Sequence, residues 1–380
     1  MSEAFDVIIV GLGAMGSAAA YHLAKRGRRV LGIDRFHPPH RLGSSHGATR
    51  IIREAYMEDP SYVPLVQHAY ELWLDLERES GEDLLTRTGG MMIGAPEDEV
   101  ITGALASARQ HGLAHELLDR AGVRELAPGF ALPEHHVAVW EPRAGALDPE
   151  RCIATHLRLA EQHGATLRFD ERVDRWTPDG AGVSIITDQG EYRADRLILS
   201  AGAWTSDFNQ KLALPLRVTR HVVYWFDPVR NADHFDPDRF PVFVWHLPGD
   251  TTIYGLPNLG AGVKAGVHDA IEETDPDSID RAVAPSEIEA MRERFATYLP
   301  DAAGTFRKAE VCIYTSTPDG HFLLDFHHRH PQVILANPCS GHGFKFASAV
   351  GEVLADMVVD GQSTFDLGLF GLSRLLPAES

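Results

Sequence analysis

The sequence is short of cysteine, of basic residues and of long apolar runs, and each shortage excludes a class of protein. Its 380 residues include three cysteines, which are too few and too odd in number for a disulfide framework. Lys and Arg number 35 against 54 Asp and Glu, and this net charge of −19 argues against binding to nucleic acid or to an anionic membrane. The sequence contains no run of about 18 or more purely apolar residues, which is the length needed to span a bilayer. We therefore expect a cytoplasmic protein without nucleic-acid or membrane partners and without a metal site.

What the sequence does contain is typical of a globular α/β protein. It is 44% hydrophobic and 23% charged, and it is long enough for two domains with a large shared core. Strand and helix patterns alternate along it, with neither internal repeats nor low-complexity segments. The fold class predicted is α/β, with the helices at residues 61–80, 149–164, 286–298 and 347–358, the third of them beginning at Ser286 as N-cap.

The strongest local motif is a glycine-rich turn between an apolar strand at residues 5–10 and a run of helix formers. Gly11, Gly13 and Gly16 supply a tight bend, a close backbone approach to a pyrophosphate and close packing of helix on strand. A second strand ends in Asp34, whose carboxylate can accept hydrogen bonds from ribose hydroxyls and would repel the extra phosphate of NADP. The motif predicts an adenine dinucleotide and leaves NAD and FAD open.

The remaining strands are predicted in two groups. Strands at 166–169, 183–186, 191–192, 195–199 and 332–336 surround the nucleotide unit, and a turn containing Gly202 is a second candidate for cofactor contact. Between residues 217 and 267, β-branched and aromatic runs alternate with Pro and Gly, which predicts a mostly antiparallel sheet. The chain returns to the nucleotide domain at its end, and this arrangement favours a flavin held from both ends of the chain over a dissociable NAD.

Several motifs together resemble the family of monomeric sarcosine oxidase and N-methyltryptophan oxidase, over essentially the whole chain. They are GLGAMG at 11–16, PPH at 38–40, GSSHGATRIIR at 43–53, AEVCIYT at 309–315 and SGHGFKF at 340–346. The resemblance implies an FAD-binding Rossmann-like domain and a mostly antiparallel substrate domain, an architecture like that of glutathione reductase and D-amino acid oxidase. We predict an FAD domain from residues 1–85, 147–215 and 316–380, and a substrate-binding domain from 86–146 and 216–315.

The resemblance also implies a covalent cofactor. In the family, the cysteine at the position of Cys312 carries FAD through an 8α-S-cysteinyl thioether, whereas an isolated cysteine would be read as a small buried hydrophobe. His46 and Arg50 match residues near the flavin that influence its attachment. Further cofactor contacts are expected at Val173, Gly343 and Lys345.

Oxidation of an amino acid at its C–N bond requires a bound carboxylate, a neutral amine and a C–H bond placed against the flavin. Arg53 and Lys345 resemble the family's carboxylate clamp, although Arg53 alone could be a surface cation. Lys264 resembles the lysine that activates dioxygen, since fixed positive charge stabilises a reduced oxygen anion. The substrate pocket is expected to contain four further residues, namely Tyr254, His268, Tyr314 and Gly341.

Departures from the family pattern leave the substrate side chain open. Leu256 stands where a second aromatic residue is common, Cys339 lies beside the SGHGF turn, and Ser45, Ala48 and Glu54 replace other residues. We predict a monomeric oxidase that transfers a hydride from a secondary amino acid to FAD and reduces dioxygen to hydrogen peroxide. Sarcosine, N-methyltryptophan, proline and pipecolate remain candidate substrates. Alternatives are a non-covalent D-amino-acid or glycine oxidase, a dehydrogenase using NAD or another acceptor, and a non-enzymatic flavin-binding regulator.

Overall fold

The computed structural model describes residues 4–208, 212, 214–249 and 251–376. The described α-helices are α1 Ala14–Lys25, α2 Val63–Ser80, α3 Glu99–His111, α4 Arg120–Leu126, α5 Pro149–Gln162, α6 Pro285–Tyr298 and α7 Ala347–Val359. The described strands are β1 Ala4–Val10, β2 Val30–Ile33, β3 Arg50–Ile52, β4 Leu85–Arg87, β5 Gly90–Gly94, β6 Glu116–Leu118, β7 Val137–Glu141, β8 Gly145–Leu147, β9 Thr166–Arg168, β10 Val173–Asp179, β11 Gly182–Thr187, β12 Glu191–Leu199, β13 Arg217–Phe226, β14 Val242–Leu247, β15 Thr251–Leu256, β16 Val263–Val267, β17 Phe306–Ser316, β18 Leu323–His327 and β19 His330–Asn337. Short 3-10 helices lie at 60–62, 202–208, 232–235, 300–302, 344–346, 368–370 and 372–375.

The first sheet is built around the parallel strands β9-β2-β1-β12-β19. The first half of β12 pairs with the antiparallel hairpin β10-β11, and its second half pairs with β19, which carries β18. Along β1, Val7 and Ile9 pack in the core that includes the helices, whereas Ile8 and Val10 pack on the opposite face. Both faces are covered, which explains why these strands are almost continuously apolar.

The second sheet has the order β17-β13-β16-β15-β14-β5-β7-β6. All its neighbours are antiparallel except β14 and β5. This sheet confirms the mostly antiparallel arrangement predicted for residues 217–267. Its core is rich in aromatic side chains, among them Phe226, Phe243 and Trp245.

A small third sheet, β3-β8-β4, lies where the chain passes between the two large sheets. All strands of the first sheet come from residues 4–199 outside 86–146, or from beyond 316, and all those of the second come from 90–141 or 217–316. This distribution supports the domain boundaries given above, which stay a prediction. Among the helices of the described ranges, none combines the length and apolar character needed to cross a membrane.

Two details of the sequence-based assignment were wrong. Helix α6 is capped at Ala284 rather than Ser286, because Pro285 occupies the first turn and the Glu287 carboxylate accepts the N–H of Ala284 at 2.8 Å. The segments 191–192 and 195–199 form one strand, β12, because Ala194 is buried and pairs with both neighbouring strands. The polar face of α6 is exposed as expected, but Met291 and Phe295 anchor its other face in the core.

Candidate active site

One large cavity extends from the end of β1 to the strand β17 of the second sheet and contains most of the predicted site residues. Those that line it are Gly11, Gly13, Asp34, Arg50, Arg53, Val173, Gly202, Tyr254, His268, Cys312, Tyr314, Gly341, Gly343 and Lys345. Gly16, His46 and Lys264 lie behind its wall. Since these residues come from both large sheets and from distant parts of the chain, the cavity is a property of the tertiary fold.

The glycines of the first turn have different roles. A Cβ on Gly16 would lie 1.8 Å from the Gly11 carbonyl oxygen, so Gly16 allows helix α1 to pack on the strand. A Cβ on Gly13 would meet no described atom within 4 Å and would project into open space. Helix α1 begins after Gly13 with neither a capping side chain nor an acidic residue in its first turn. Its free N–H groups and positive dipole end therefore suit an anionic group.

Asp34 ends β2 beside this turn. Its carboxylate accepts the N–H of Leu12 at 2.6 Å and that of Phe36 at 2.8 Å. Burial raises the pKa of Asp34 to about 6, although the two backbone hydrogen bonds oppose that shift. Each carboxylate oxygen keeps a lone pair for a further donor, such as a ribose hydroxyl.

Cys312 lies on β17 among positively charged groups. Arg50 Nη2 is 3.3 Å from Cys312 Sγ, and Arg50 is held by the carbonyl oxygens of Ser44 and Thr49 at 2.6 and 2.8 Å. Burial alone would raise the pKa of the Cys312 thiol, but Arg50 and then His46 outweigh it and lower the pKa to about 6. These positive groups therefore favour the thiolate of Cys312, which is the nucleophilic form of the side chain.

Lys264 lies on β16 and is 2% exposed. Its ammonium group donates to the carbonyl oxygens of Gly47 and Thr49 at 2.7 and 2.8 Å and to Thr49 Oγ1 at 2.9 Å. Burial, followed by the nearby Arg50, lowers the pKa of Lys264 well below its usual value. Because Thr49 lines the cavity, the Lys264 ammonium group is bonded directly to a residue of the cavity wall.

Two buried cations and one carboxylate form the polar end of the cavity. Arg53 Nη2 lies 2.9 and 2.8 Å from the two oxygens of Glu58. Lys345 Nζ donates to the carbonyl oxygen of His342 at 2.5 Å, and its pKa is lowered to about 7 by burial and then by Arg53. When Lys345 is protonated, this group has one positive charge more than Glu58 neutralises. A single carboxylate from a ligand would complete the balance.

Glu141 fixes the segment that carries Arg53. Its two oxygens accept the backbone N–H groups of Glu54 and Ala55 at 2.6 and 2.7 Å. Burial raises the pKa of Glu141 to about 7 against the effect of these hydrogen bonds. Glu141 therefore connects strand β7 of the second sheet to the two residues that follow Arg53.

Aromatic side chains form another wall of the cavity. Tyr314 stacks on His221 with ring centroids 3.5 Å apart and lies 5.8 Å from the ring of His268. Gly341 has φ +79°, and a Cβ there would lie 2.5 Å from Tyr314 Cε2, so the SGHGF turn needs glycine at this point. Leu256 and Cys339 also line the cavity, so its lining is not aromatic throughout but combines Tyr254 and Tyr314 with smaller apolar side chains.

Sequence reasoning missed the acidic partners of the site. Glu58 and Glu310 bind the predicted site residues Arg53 and His46, and Glu141 binds the backbone of the two residues that follow Arg53. Glu58 follows Arg53 by five residues and Glu310 precedes Cys312 by two, so spacing offered a weak signal for both. Glu141 is distant in sequence, and only the packing of β7 against residues 54–55 brings it to the site.

The chain matches the FAD dependent oxidoreductase family (DAO) over residues 6–357. It belongs to this family, which confirms the predicted fold class and makes the protein an FAD-dependent oxidoreductase. Monomeric sarcosine oxidase from Streptomyces avermitilis is 41% identical, with all of both chains covered. N-methyl-L-tryptophan oxidase from Salmonella arizonae is 35% identical and covers 97% of this chain and 99% of its own. The chain is thus also a member of the group of sarcosine and N-methyltryptophan oxidases that the motifs indicated.

Solved structures show the same fold at lower identity. NikD, described as an unusual amino acid oxidase essential for nikkomycin biosynthesis, superimposes with a TM-score of 0.83 at 24% identity over 97% of this chain and 98% of its own. Glycine oxidase from Geobacillus kaustophilus gives a TM-score of 0.81 at 21% identity over 99% of this chain and 100% of its own.

The residues of the cavity fit FAD. The uncapped positive end of α1 and the open space beside Gly13 suit a pyrophosphate, and Asp34 keeps acceptor capacity for a ribose. Farther along the same cavity, the nucleophilic Cys312 and the cationic Arg50 suit a ring system that is held next to a thiol.

Proposed function

We propose that this protein is an oxidase of secondary amino acids, with an N-methyl or cyclic amine, that uses dioxygen and releases hydrogen peroxide. The observation that carries the proposal is the presence of two buried cations, Arg53 and Lys345, in the same cavity as Cys312, with Glu58 bound to Arg53 as the carboxylate of this group. Its similarity to sarcosine and N-methyltryptophan oxidases supports this substrate class.

Each site residue has a definite task in this proposal. Gly11, Gly13, Asp34, Val173, Gly202 and Gly343 would hold FAD, and Cys312 Sγ would attach it at the 8α carbon. Bound FAD supplies the acceptor for a hydride and returns the electrons to dioxygen. Arg53 and Lys345 bind the substrate carboxylate and so fix the position of the amine.

The remaining residues control water and charge. Tyr254, Tyr314 and His268 form a largely buried wall around the substrate amine, and Gly341 leaves room beside Tyr314. Burial lowers the pKa of His268 below its usual value, which favours the neutral imidazole that can accept a proton from the amine. Lys264 provides positive charge for the reduction of dioxygen, and Arg50 and His46 govern the ionisation of Cys312. A monomer that works in the cytoplasm is part of the same proposal.

The covalent bond is tested by acid precipitation of the purified holoprotein. We expect the yellow chromophore to stay with the wild-type pellet and to move to the supernatant for Cys312→Ser. Chromophore in the supernatant for the wild type would refute the thioether and favour a non-covalent amino-acid or glycine oxidase.

The substrate class is tested by a peroxide screen with sarcosine, N-methyl-L-tryptophan, L-proline, L-pipecolate, glycine and D-alanine. We expect turnover of at least one of the first four compounds, with a much higher KM in Arg53→Gln. Arg28→Gln, an exposed arginine on the surface, is the matched control. Turnover of glycine or D-alanine alone would contradict the proposal, and so would oxidation without peroxide formation.

A further inference from the structure

Glu310 is a partly buried carboxylate close to Cys312 that the proposed reaction does not use. It lies on β17 two residues before Cys312, so both side chains project from the same face of the strand. Its side chain is 12% exposed, and Glu310 Oε2 lies 3.4 Å from His46 Nδ1. Its other oxygen accepts from Lys308 Nζ at 2.8 Å. Glu310 therefore connects His46 with a lysine at the protein surface.

His46 contacts this carboxylate and interacts electrostatically with the Cys312 thiol. Its side chain is 2% exposed, and within the described part of the chain its Nε2 atom has no hydrogen-bond partner. An imidazole whose Nδ1 atom donates to a carboxylate is fixed in orientation, and its second nitrogen is free to exchange a proton. Burial lowers the pKa of His46, but Cys312 and Glu310 outweigh it and raise the pKa above its usual value.

Other charged and titratable groups surround the three residues. Those that interact electrostatically with Cys312, His46 or Glu310 are Arg50, Arg281, Lys264, Tyr254, Tyr314, His40, Arg41 and Lys308, and Glu150 acts on Arg50. Arg50 acts on the thiol directly, and its guanidinium stays charged at any pH of interest. Among the described residues, Glu310 contacts His46 and Lys308, whereas Cys312 Sγ contacts Arg50 and Ser44, so we expect Glu310 to act on the thiol through His46.

We propose that Glu310 is a positioning residue for flavin attachment: it holds His46 as an imidazolium, and this cation keeps Cys312 ionised. Ionisation of the Cys312 thiol is matched by protonation of the His46 imidazole, which gives a thiolate and an imidazolium, and Glu310 balances the positive charge of His46. No electron is transferred in this step. The inference deepens the proposed function, because it rests on the role of Cys312 as the attachment residue.

The ionisation of Cys312 can be measured without flavin. The full chain is produced in riboflavin-limited cells, and the rate of Cys312 alkylation by iodoacetamide is followed against pH by peptide mass spectrometry. Cys152 and Cys339 are internal references, because burial raises the pKa of Cys152 well above its usual value and that of Cys339 to about 12. In Glu310→Gln we expect the alkylation midpoint of Cys312 to rise by about one pH unit. Glu293→Gln, an exposed acid on α6, should leave it unchanged.

Flavin attachment provides a second readout. When FAD is added to the flavin-free chain at pH 7, covalent incorporation should be slower in Glu310→Gln by about three- to tenfold, and raising the pH should restore the rate. A midpoint in Glu310→Gln equal to or below that of the wild type would overturn the inference.

A double mutant separates action through His46 from a general structural effect. His46→Gln should also raise the midpoint, and adding Glu310→Gln to it should change the midpoint no further. Additive shifts would overturn the inference. Glu310→Asp keeps the negative charge, so its alkylation midpoint should remain closer to that of the wild type. This variant keeps the inference testable if Glu310→Gln does not fold. A rise of the midpoint in Glu310→Asp as large as that in His46→Gln would count against the inference. If the wild type forms no covalent flavin, the role of Cys312 fails, while the alkylation midpoints still decide the relation of Glu310 to the thiol.

Discussion

Arg53 is bound to Glu58 by a two-point contact, with Arg53 Nη2 at 2.9 and 2.8 Å from the two carboxylate oxygens. Arg53 Nη1 also donates to the Ala55 carbonyl oxygen at 2.9 Å, and only 3% of the arginine is exposed. Charge from Arg53 lowers the pKa of Glu58 to about 2 despite burial. A substrate carboxylate must therefore share Arg53 with Glu58 or displace it.

This relationship predicts that Glu58→Gln strengthens the binding of small carboxylates. The neutral amide no longer competes for Arg53, so the Kd for acetate should fall by about tenfold, or ~1.4 kcal/mol. The ligand-free variant should unfold at a lower temperature, because a buried arginine has lost its charged partner. Both are measured on the holoprotein, the first from changes in flavin absorption and the second from thermal unfolding. Weaker acetate binding than in the wild type would show that Glu58 orients Arg53 rather than competing for it.

Lys345 predicts a pH dependence of carboxylate binding. Burial and then Arg53 lower its pKa to about 7, so the ammonium loses its charge as pH rises through 7 in the ligand-free protein. The Kd for acetate should therefore increase between pH 6 and pH 8, by up to about tenfold. In Lys345→Gln the affinity should be lower at pH 6 and should depend little on pH over this range. An equally steep pH dependence in the variant would assign the titration to another group.

The glycine turn provides a pair of variants that separate folding from cofactor binding. In Gly16→Ala the new Cβ would meet the Gly11 carbonyl oxygen at 1.8 Å, so we expect a poorly folded protein. In Gly13→Ala the Cβ enters open space in the cavity, so the flavin-free chain should keep its thermal stability while FAD binds more weakly. Thermal unfolding of the flavin-free chain and the flavin content after purification measure the two effects. Normal flavin content in Gly13→Ala would show that the cofactor does not approach this turn closely.

Local chemistry explains which parts of the site could be predicted from sequence. The strand, the glycine turn and Asp34 lie within thirty-one residues, and backbone geometry and hydrogen bonding determine the position of each. Arg53, Lys345 and Cys312 are far apart in sequence, and the family resemblance, rather than spacing, brought them together. The cavity confirms that they line one space.

Charge compensation explains what the sequence did not reveal. Glu58, Glu141 and Glu310 were not predicted, because a single acidic residue in a chain with 54 acids stands out little: spacing gave a weak signal for Glu58 and Glu310 and none for Glu141. Their roles follow from the burial of the groups that they contact, since a buried cation or a buried backbone N–H requires a partner. The N-cap of α6 was misplaced for a related reason: Glu287 reaches back to Ala284 and performs the task assigned to Ser286.

Two histidines buried among the helices predict acid sensitivity of the fold. Burial lowers the pKa of His22 to about 4 and that of His156 to about 3, both below the ordinary value of 6.5. The unfolded chain therefore binds protons first, and the stability that these neutral histidines contribute is complete above pH 6.5 and is lost as pH falls towards 4. Each contributes a slope of up to about 1.4 kcal/mol per pH unit in this window.

His156 offers the cleaner test, because its ring packs against Trp73 and Tyr21 with centroids 5.3 and 5.6 Å apart. In His156→Met we expect the free energy of unfolding to fall less steeply between pH 6.5 and pH 4.5 than in the wild type, whatever the change in stability at pH 7. Urea unfolding at several pH values measures the slope, with the exposed His135→Met as the matched control. If both variants keep the wild-type slope, His156 does not cause the acid sensitivity, and the loss of stability must come from other groups that titrate in this range.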